Sequence, residues 1–336
     1  MNIVNIRNFL KCKTFAEGLK SLPLSCNMDP FIINILGCGS ALPTRNHGLS
    51  GQVLSFRNKL FLIDCGEGVQ LQMRRMKLNF GRISRIFITH LHGDHCFGLP
   101  GLISTLGMLG RTALLIIHAP AEAESIFRPF LDFFGKELPY QVLFEPVPTT
   151  THEKIYEDLS IEVYSIPLHH RISTAGFLFK EKQKEANILR EMIDFYQIPI
   201  REIPKIKQGA DFITPDGEIV PNCRLVKPAP LPRSYAYCSD TAYTEKIVPF
   251  IEGIDLLYHE STFLDEDVAR AKLTFHSTAQ QAALIAQKAG VKQLILGHFS
   301  ARYRQNSLFT EEAQEVFPAT ILSEDGMVIE LPEKRL

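Results

Sequence analysis

The chain has 336 residues, a formal net charge of −1 and a hydrophobic content of 45%. This length allows one large α/β domain or two ordinary ones, and the near-neutral charge means that an anionic partner must be met by a local patch. No apolar run approaches the roughly 18 residues that span a bilayer. The seven cysteines form no CxxC pair, which favours free thiols in a reducing compartment. We therefore expect a cytoplasmic protein without a membrane segment.

The first strong strand pattern is Phe31–Leu36, and the residues before it are weakly patterned. Because Met28 stands just before this strand, we expect residues 1–27 to be an extension from an upstream start codon. Residues 28–336 should then form the folded domain.

Short apolar runs and helical patterns alternate along the rest of the chain, and this order predicts a layered α/β domain. The predicted helices are Glu67–Lys77, Gly98–Gly110, Ala121–Gly135 and Thr278–Gly290, the last with a capping box from Ser277 and Gln280. The predicted strands are Phe31–Leu36, Gln52–Phe56, Leu60–Ile63, Ile86–Thr89, Leu114–Ala119, Leu159–Ile166, Gly176–Phe179 and Gln293–Leu296.

The segment Lys180–Arg233 has a different texture, with ten basic and eight acidic residues and the proline-rich run "KPAPLP". We interpret it as an inserted arm that contains one helix, Ala186–Phe195, and not as a second core domain.

Three histidines and an aspartate crowd into "HLHGDH", directly after an apolar strand. His90 and His92 share a face of an extended segment, and Asp94 and His95 can reach a neighbouring position from the following turn. A two-metal hydrolytic site needs two such sets of ligands, which hold metal ions about 3.5–4 Å apart. Imidazole and carboxylate suit zinc, and manganese or iron is also possible. The alternative is a coincidental polar loop before a helix.

Four residues cannot saturate two metals, so further ligands are expected at later strand ends. The pair His169-His170, Asp240 and His298 each occupy such a position. The other histidines considered, His47, His118 and His152, are predicted to be structural or surface residues. Soft thiolates can bind zinc, but the cysteines near the presumed site, Cys38, Cys65 and Cys96, are predicted to be small buried residues.

This motif pattern resembles the metallo-β-lactamase superfamily. Within it, the chain resembles the ribonuclease Z family of tRNA 3′-processing endonucleases from about Phe31 to Leu331. The segments that carry the resemblance are "LGCGSALPT", "FLIDCGEGVQLQ", "THLHGDHCFGLPGL", "PLHHRISTAGF", "CSDT", "HEST" and "FHSTAQQAALIAQKAGVKQLILGHFSARY".

The resemblance implies an αβ/βα sandwich, with two mixed sheets face to face and helices outside, and two zinc ions per subunit. It assigns His90, His92 and His170 to one ion, Asp94, His95 and His298 to the other, and Asp240 to both. Asp94 would also accept or orient the proton of the attacking water. Asp64 is expected to hold a ligand histidine by its second ring nitrogen.

The resemblance also implies that His276 of "FHST" donates a proton to the leaving oxygen and that Glu260 of "HEST" orients and charges it. Taken alone, His276 is also compatible with a helix-start histidine, and Glu260 with a buried acid paired with an arginine. Ser300 and Arg302 fit a phosphate pocket beside His298.

The implied activity is zinc-dependent removal of the 3′ trailer from precursor tRNA by a homodimer, in which the arm of one subunit grips the tRNA cut by the other. The arm lacks the family's Gly-Pro pair at Ile198–Pro204, and its net charge is only +2 (ten minus eight). The acid-free basic segment Val69–Gly93 either tracks phosphates or is a solvated helix face. Two other functions remain open: a phosphodiesterase or esterase acting on small molecules, and a metal-stabilised RNA-binding protein without catalysis.

Overall fold

The computed structural model of the protein describes residues 3–4 and 29–334. Apart from the two-residue strand Ile3–Val4, the predicted extension 1–27 lies outside the described residues. Most of the described chain forms two large sheets. In spatial order, the first sheet contains Ile3–Val4, Val328–Leu331, Phe31–Gly37, Gly51–Phe56, Lys59–Ile63, Ile83–Phe87, Leu115–Ala119 and Val142–Pro146.

The second sheet has seven strands. Their spatial order is Thr320–Leu322, Leu294–Gly297, Leu256–Glu260, Ser234–Cys238, Ala175–Glu181, Ile161–Pro167 and Lys154–Glu157. Its first four strands run parallel to one another, as do the last four strands of the first sheet. Both sheets therefore bring the carboxyl ends of several strands to one edge.

Aromatic side chains fill the space between the sheets. The ring of Phe87 from the first sheet lies 5.3 Å from that of Phe177 and 5.4 Å from that of Phe179, both in the second sheet. Such tilted and edge-on pairs are favourable beyond the area they bury. The Tyr235 hydroxyl also crosses the interface and donates a hydrogen bond to Gln52. These contacts show two sheets packed face to face.

The helices lie on the outer faces. Helix Leu99–Met108 buries its apolar side against the first sheet, and helix Ala279–Ala289 packs on strands of the second. This layering confirms the predicted αβ/βα sandwich. The α-helices of the described residues are Val69–Arg75, Gly93–Cys96, Leu99–Met108, Glu122–Phe134, Arg190–Tyr196, Ile203–Lys207, Asn222–Leu225, Val268–Thr274, Ala279–Ala289 and Ser307–Val316, with 3₁₀ turns at Phe80–Arg82, Ile200–Glu202, Glu245–Phe250 and Asp265–Asp267.

The predicted capping box is wrong by one residue. Thr278 caps helix Ala279–Ala289, accepting a hydrogen bond from the Gln281 amide, and the Gln281 side chain returns to the Thr278 amide. The Ser277 hydroxyl instead points away from the helix and donates to the carbonyl of Thr241. The helix ends at Gly290, as predicted, in the left-handed conformation that glycine adopts at low cost.

The segment Lys180–Arg233, with 157–162 and 333–334, forms a second compact unit. The predicted helix Ala186–Phe195 is present but begins later, at Arg190, because Asn187–Ile188 pairs with Val226–Lys227 as a strand. The expectation of a single helix is wrong, since Ile203–Lys207 and Asn222–Leu225 are also helical. A second hairpin pairs Phe212–Ile213 with Ile219–Val220. The unit has its own small apolar core, formed by Ile198, Ile206, Phe212, Val220, Leu225 and Val226.

A buried ion pair also belongs to this second unit. The Arg233 guanidinium donates to both carboxylate oxygens of Glu181, at 2.7 and 3.1 Å, and both side chains are almost fully buried.

Among residues 3–4 and 29–334, no helix is both long and apolar enough to cross a membrane.

Candidate metal centre

The polar residues predicted as ligands lie where strands of the two sheets end. His90 and His92 follow strand Ile83–Phe87 of the first sheet, and Asp240 follows strand Ser234–Cys238 of the second. His170 and His298 likewise come just after strands of the second sheet. Because these strand ends share one edge of the sandwich, residues more than 200 positions apart in the sequence meet there.

One cluster is formed by His90, His92 and His170 with Asp240. His90 Nε2 lies 3.0 Å from His92 Nδ1, and His170 Nε2 lies 3.3 Å from the same nitrogen. His169 does not join this cluster, because its ring packs edge-on against Phe275 instead. The structure therefore brings together the first predicted ligand set, with His170 as its third histidine.

A second cluster is formed by Asp94, His95 and His298. Nε2 of His95 and Nε2 of His298 are 3.3 Å apart, and Asp94 Oδ2 lies 3.7 Å from the former and 3.5 Å from the latter. His95 and His298 are buried, whereas Asp94 is partly exposed. These are the three residues of the second predicted set.

Asp240 belongs to both clusters. Its Oδ2 faces His90 and His170 at 3.4 and 3.6 Å, and its Oδ1 faces His95 and His298, each at 3.1 Å. A carboxylate that gives one oxygen to each of two neighbouring ligand sets is suited to bridge two metal ions.

The spacing of the donor atoms fits such ions. Ligands about 2.0–2.3 Å from a tetrahedral ion lie about 3.3–3.8 Å from one another. The nitrogen–nitrogen and nitrogen–oxygen distances in both clusters fall between 3.0 and 3.7 Å. All donors are imidazole nitrogens or carboxylate oxygens, which zinc, manganese and iron accept. The residues present therefore fit two metal ions.

Hydrogen bonds fix the second ring nitrogen of the histidines that carry the clusters. His95 Nδ1 lies 2.7 Å from Asp64 Oδ2, which is the contact expected for Asp64 from the sequence. His170 Nδ1 contacts the Phe275 carbonyl at 2.9 Å, and His298 Nδ1 contacts the Thr262 hydroxyl at 3.0 Å. Such outer contacts orient the rings and set which nitrogen is free to bind metal.

Strained backbone accompanies these contacts. Asp64, Asp240 and His298 have φ values of 56°, 60° and 62°, in the left-handed region that side chains other than glycine rarely adopt. Each costs of order 1 kcal/mol and persists only where its surroundings impose it. The strain turns these side chains out of the ends of their strands towards the clusters.

The electrostatics also favour cations. Burial lowers the pKa of His170 to about 4, despite the opposing charge of Asp240, so its imidazole is neutral and able to bind metal. Burial also lowers the pKa of His95, but the charges of Asp240, Asp64 and Asp94 outweigh it and raise that pKa well above the usual value. This excess of negative charge is what divalent ions would balance.

Glu260 and His276 form a pair beside the clusters. His276 Nδ1 lies 2.8 Å from Glu260 Oε1, whose carboxylate is fully buried and also accepts hydrogen bonds from Thr241 and Thr262. Burial lowers the pKa of His276, but the charge of Glu260 and its hydrogen bond raise it to about 9. The structure thus supports a protonated His276, and it excludes the alternative that Glu260 pairs with an arginine, because its contacts are otherwise accounted for.

These groups open into a cleft of about 610 Å³. Ser300 and Arg302 line it, together with His276, His298 and Asp94. The Arg302 guanidinium lies 5.8 Å from the centre of the Phe263 ring and 3.7 Å from Asp267 Oδ2, so it is held by side chains of the same cleft wall.

Sequence reasoning missed several residues of this cleft. Arg171, Arg270 and the highly exposed Phe97 line it, and none was singled out. Arg171 stands directly beside the ligand His170, whereas Arg270 lies in a helix with no motif of its own. The predicted basic segment Val69–Gly93 is also less available than its charges indicate, because Arg82 donates to backbone carbonyls and Arg85 stacks on Tyr156.

The remaining histidines and thiols mostly have structural partners. His118 stacks on Phe87, and His152 stacks on Tyr164 and Phe250. Cys65 and Cys96 are buried, and burial raises the pKa of both thiols. Neither belongs to a ligand group among the described residues.

Known proteins resemble this chain in sequence and in fold. Residues 31–133 match the family model described as "Anti-Pycsar protein Apyc1". Ribonuclease Z of Parabacteroides distasonis is 61% identical over 300 residues, covering 89% of this chain and 99% of that protein. Ribonuclease Z of Bacteroides thetaiotaomicron is 55% identical over 302 residues, covering 90% and 96%.

Solved structures extend the similarity. The crystal structure of human tRNase Z, short form, has a TM-score of 0.65 and 28% identity, covering 90% of this chain and 99% of that one. The metallo-β-lactamase fold protein YhfI from Bacillus subtilis, with a TM-score of 0.63, 17% identity and coverage of 90% and 100%, shares the fold. Fold and site together define a hydrolase of the metallo-β-lactamase fold. With identities above 50% over nearly its full length, the chain belongs to the ribonuclease Z family.

Proposed function

We propose that this protein is a zinc-dependent endoribonuclease that removes the 3′ trailer from precursor tRNA. It leaves a 3′-hydroxyl on the tRNA and a 5′-phosphate on the trailer. The observation that carries the proposal is the set of seven residues suited to hold two metal ions, with an acid pair beside them. The chain also covers 99% of the length of a ribonuclease Z to which it is 61% identical.

This chain's own residues would hold two zinc ions. His90, His92 and His170 would hold one ion and Asp94, His95 and His298 the other, with Asp240 available to both. When bound, two such ions supply Lewis acidity and make water acidic enough to provide hydroxide near neutral pH.

Asp94 orients the attacking water and accepts its proton. Its Oδ2 takes a hydrogen bond of 2.8 Å from the backbone amide of Ala41, which fixes the carboxylate at the mouth of the second cluster. Burial raises the pKa of Asp94, but the charges of His95 and His298 outweigh it and hold that pKa below its usual value, so the carboxylate is ionised. An ionised carboxylate fixed in this way can accept a hydrogen bond from the water and orient it.

His276 donates the proton that the leaving 3′-oxygen needs. Its Nδ1 is occupied by Glu260, so its other nitrogen is the one available to substrate. The imidazole stacks beside His298, with ring centres 5.5 Å apart, which places the acid next to the second cluster. Cleavage of a phosphodiester with its leaving oxygen protonated in this way produces the proposed 3′-hydroxyl.

Ser300 and Arg302 bind phosphate groups of the substrate beside His298. The Arg302 side chain is about two-fifths exposed in the cleft, so its guanidinium is accessible to an anion. A guanidinium can grip phosphate oxygens through two parallel hydrogen bonds.

The second compact unit, around Lys180–Arg233, is the arm that grips the tRNA. The protein itself is a cytoplasmic homodimer. A cluster of exposed aromatic residues supports self-association: Phe130, Phe133 and Phe134 on helix Glu122–Phe134 are 50%, 70% and 69% exposed. Exposed apolar patches of this kind mark interaction surfaces. Sedimentation should show a dimer, and Phe133→Asp should shift it towards the monomer; a wild-type monomer would contradict this part of the proposal.

The decisive test of the activity is cleavage of a 3′-extended precursor tRNA, with both product ends mapped, in the presence of zinc or manganese. We expect a single cut near the discriminator base and the product ends stated above. Hydrolysis of small phosphodiesters without cleavage of the precursor would assign the site to a small substrate instead. Binding of the precursor without any cleavage would assign the protein to RNA binding alone.

A further inference from the structure

A third group of metal-ligating side chains lies outside the seven-residue centre. Cys38, His47 and Asp325 bring a thiol sulfur, an imidazole nitrogen and a carboxylate oxygen together. Cys38 Sγ lies 3.3 Å from His47 Nδ1 and 3.4 Å from Asp325 Oδ1, and these last two atoms are 3.9 Å apart. The group shares no residue with the centre described above.

These distances fit one small ion. Ligands at about 2.3 Å for sulfur and about 2.0 Å for nitrogen or oxygen around a tetrahedral zinc lie about 3.3–3.6 Å apart. The two separations that involve the sulfur fall in that range. The third, 3.9 Å between His47 Nδ1 and Asp325 Oδ1, exceeds it by about 0.3 Å, which a rotation of the mostly buried carboxylate would close. The donor set also combines the soft thiolate and the imidazole that zinc prefers.

The surroundings support all three side chains. Gly48 donates its amide to Asp325 Oδ2 at 2.6 Å, which leaves Oδ1 facing the sulfur. The Asn306 side-chain nitrogen lies 2.8 Å from His47 Nε2 and donates to it. A metal at Nδ1 requires this amide to turn over, so that its oxygen accepts the Nε2 proton and Nδ1 is free. An amide that orients the far nitrogen of a histidine is a usual outer contact of metal sites.

Cys38 is fully buried, so a thiolate at this position needs a balancing cation. A divalent ion bound here would replace the thiol proton and balance the charges of the thiolate and the carboxylate. The His47 and Asp325 side chains remain 17% and 21% exposed, which provides an entry path and room for water as a fourth ligand.

We propose that Cys38, His47 and Asp325 form a third metal site, which takes a thiophilic divalent ion of the zinc type and stabilises the loop next to the catalytic centre. This loop, Cys38–Ala41, reaches both ends of the second cluster. The Ala41 amide donates to Asp94, and the Cys38 carbonyl accepts from the amide of Phe299, the residue after His298. An ion at the third site therefore fixes the segment that positions Asp94 and His298.

Cobalt(II) provides a specific probe of this site. A thiolate bound to cobalt gives an intense near-ultraviolet charge-transfer band, whereas the seven ligands of the catalytic centre are all nitrogen or oxygen donors. Metal-stripped protein titrated with cobalt should bind about three equivalents and develop this band, and Cys38→Ser should lose one equivalent and the band. His47→Gln, which replaces a partly exposed polar side chain with another polar one, should weaken binding of the third equivalent by more than about 100-fold.

Cys96→Ser is the matched control, because Cys96 is equally buried but has no ligand partners among the described residues. It should retain three equivalents and the band. Bound zinc should also raise the melting temperature of the wild type more than that of His47→Gln. Binding of only two equivalents with no thiolate band in the wild type would overturn the proposal, and so would a band that persists in Cys38→Ser. Either result would leave the three side chains as a hydrogen-bonded network that shapes the loop without an ion.

Discussion

The catalytic centre and the second unit are held together by different kinds of contact. At the centre, side chains of both sheets converge on one sheet edge, and nearly every ring nitrogen or carboxylate oxygen has a partner within 3.7 Å. The second unit, around Lys180–Arg233, has a core of six buried apolar residues and a buried ion pair, and most of its charged side chains are exposed. Precise positions therefore characterise the centre, and accessible charge characterises the second unit.

This difference implies different responses to substitution. Removing one ligand from the centre leaves several buried charges unbalanced, so effects there should be large and centred on the chemical step. Removing one exposed charge from the second unit should change tRNA affinity slightly and leave the chemistry intact.

The largest effect is expected for Asp240→Ala. Because Asp240 gives one oxygen to each ligand cluster, its loss should weaken both ions together and reduce cleavage by at least about 10⁴-fold. Elemental analysis and single-turnover cleavage of precursor tRNA measure the two effects. Asp216→Ala, at an exposed position of the second unit, is the control and should behave as the wild type. A fully active Asp240→Ala variant would rule out a shared ligand.

His276→Gln should reduce the rate of the chemical step by about 10²–10⁴-fold, with metal content and tRNA affinity nearly unchanged. The reason is that His276 contributes a proton and is not one of the seven ligands. Single-turnover rates and filter binding separate the two quantities. A variant that binds tRNA poorly but cleaves bound tRNA at the normal rate would remove His276 from the acid role.

Glu260→Gln should change the pH profile of the same step. The acid works while His276 is protonated, so the rate falls as the pH rises through its pKa of about 9. Burial lowers this pKa and Glu260 raises it, so without the Glu260 charge the fall should begin at lower pH. Rates measured from pH 6 to 10 in the wild type and in Glu260→Gln test the shift. An unchanged pH profile would mean that Glu260 does not raise the pKa of His276.

The sequence predicted the centre better than it predicted the second unit, for a physical reason. Metal chemistry requires particular residue types at strand ends, and "HLHGDH", Asp240 and His298 all have them. The contacts of Asp64 followed from the same logic. The hydrogen-bonded support from Thr262 and the Ala41 amide was not predictable, because threonine is common and a backbone amide carries no sequence signal.

In the second unit, local patterns competed with pairing between distant residues. The stretch that begins at Ala186 reads as a helix, but Asn187–Ile188 pairs with Val226–Lys227, and this long-range strand pairing displaces the helix start to Arg190. The charge count of Lys180–Arg233 was correct, but it gave no indication that Arg233 is buried against Glu181. The sequence did not predict that Cys38 and His47 belong to one group of metal-ligating side chains, because their third member, Asp325, comes from the far end of the chain.

A smaller effect, on stability and not on chemistry, is expected for the ion pair of the second unit. Arg233→Met removes the buried partner of the Glu181 carboxylate and leaves it only the Lys184 ammonium at 3.4 Å, so it should destabilise this unit by up to about 3–5 kcal/mol. The double variant Glu181→Leu with Arg233→Met removes both charges and should recover most of that loss. Urea denaturation followed by circular dichroism measures both, and equal stability of the single and double variants would show that the charges are not coupled.

The smallest effect is expected for Arg201→Ala. Arg201 lies in the stretch where the family's Gly-Pro pair is absent, and its side chain is 85% exposed and 3.6 Å from Glu202. If it contacts a phosphate of the tRNA, its loss should reduce the magnitude of the slope of log affinity against log salt concentration by about 1. The rate at which bound tRNA is cleaved should stay unchanged. Lys246→Ala, an exposed charge outside the second unit, is the matched control. A salt slope equal to the wild type would mean that this part of the second unit does not touch the phosphates, and the contrast with the catalytic centre would then rest on other exposed charges of Lys180–Arg233.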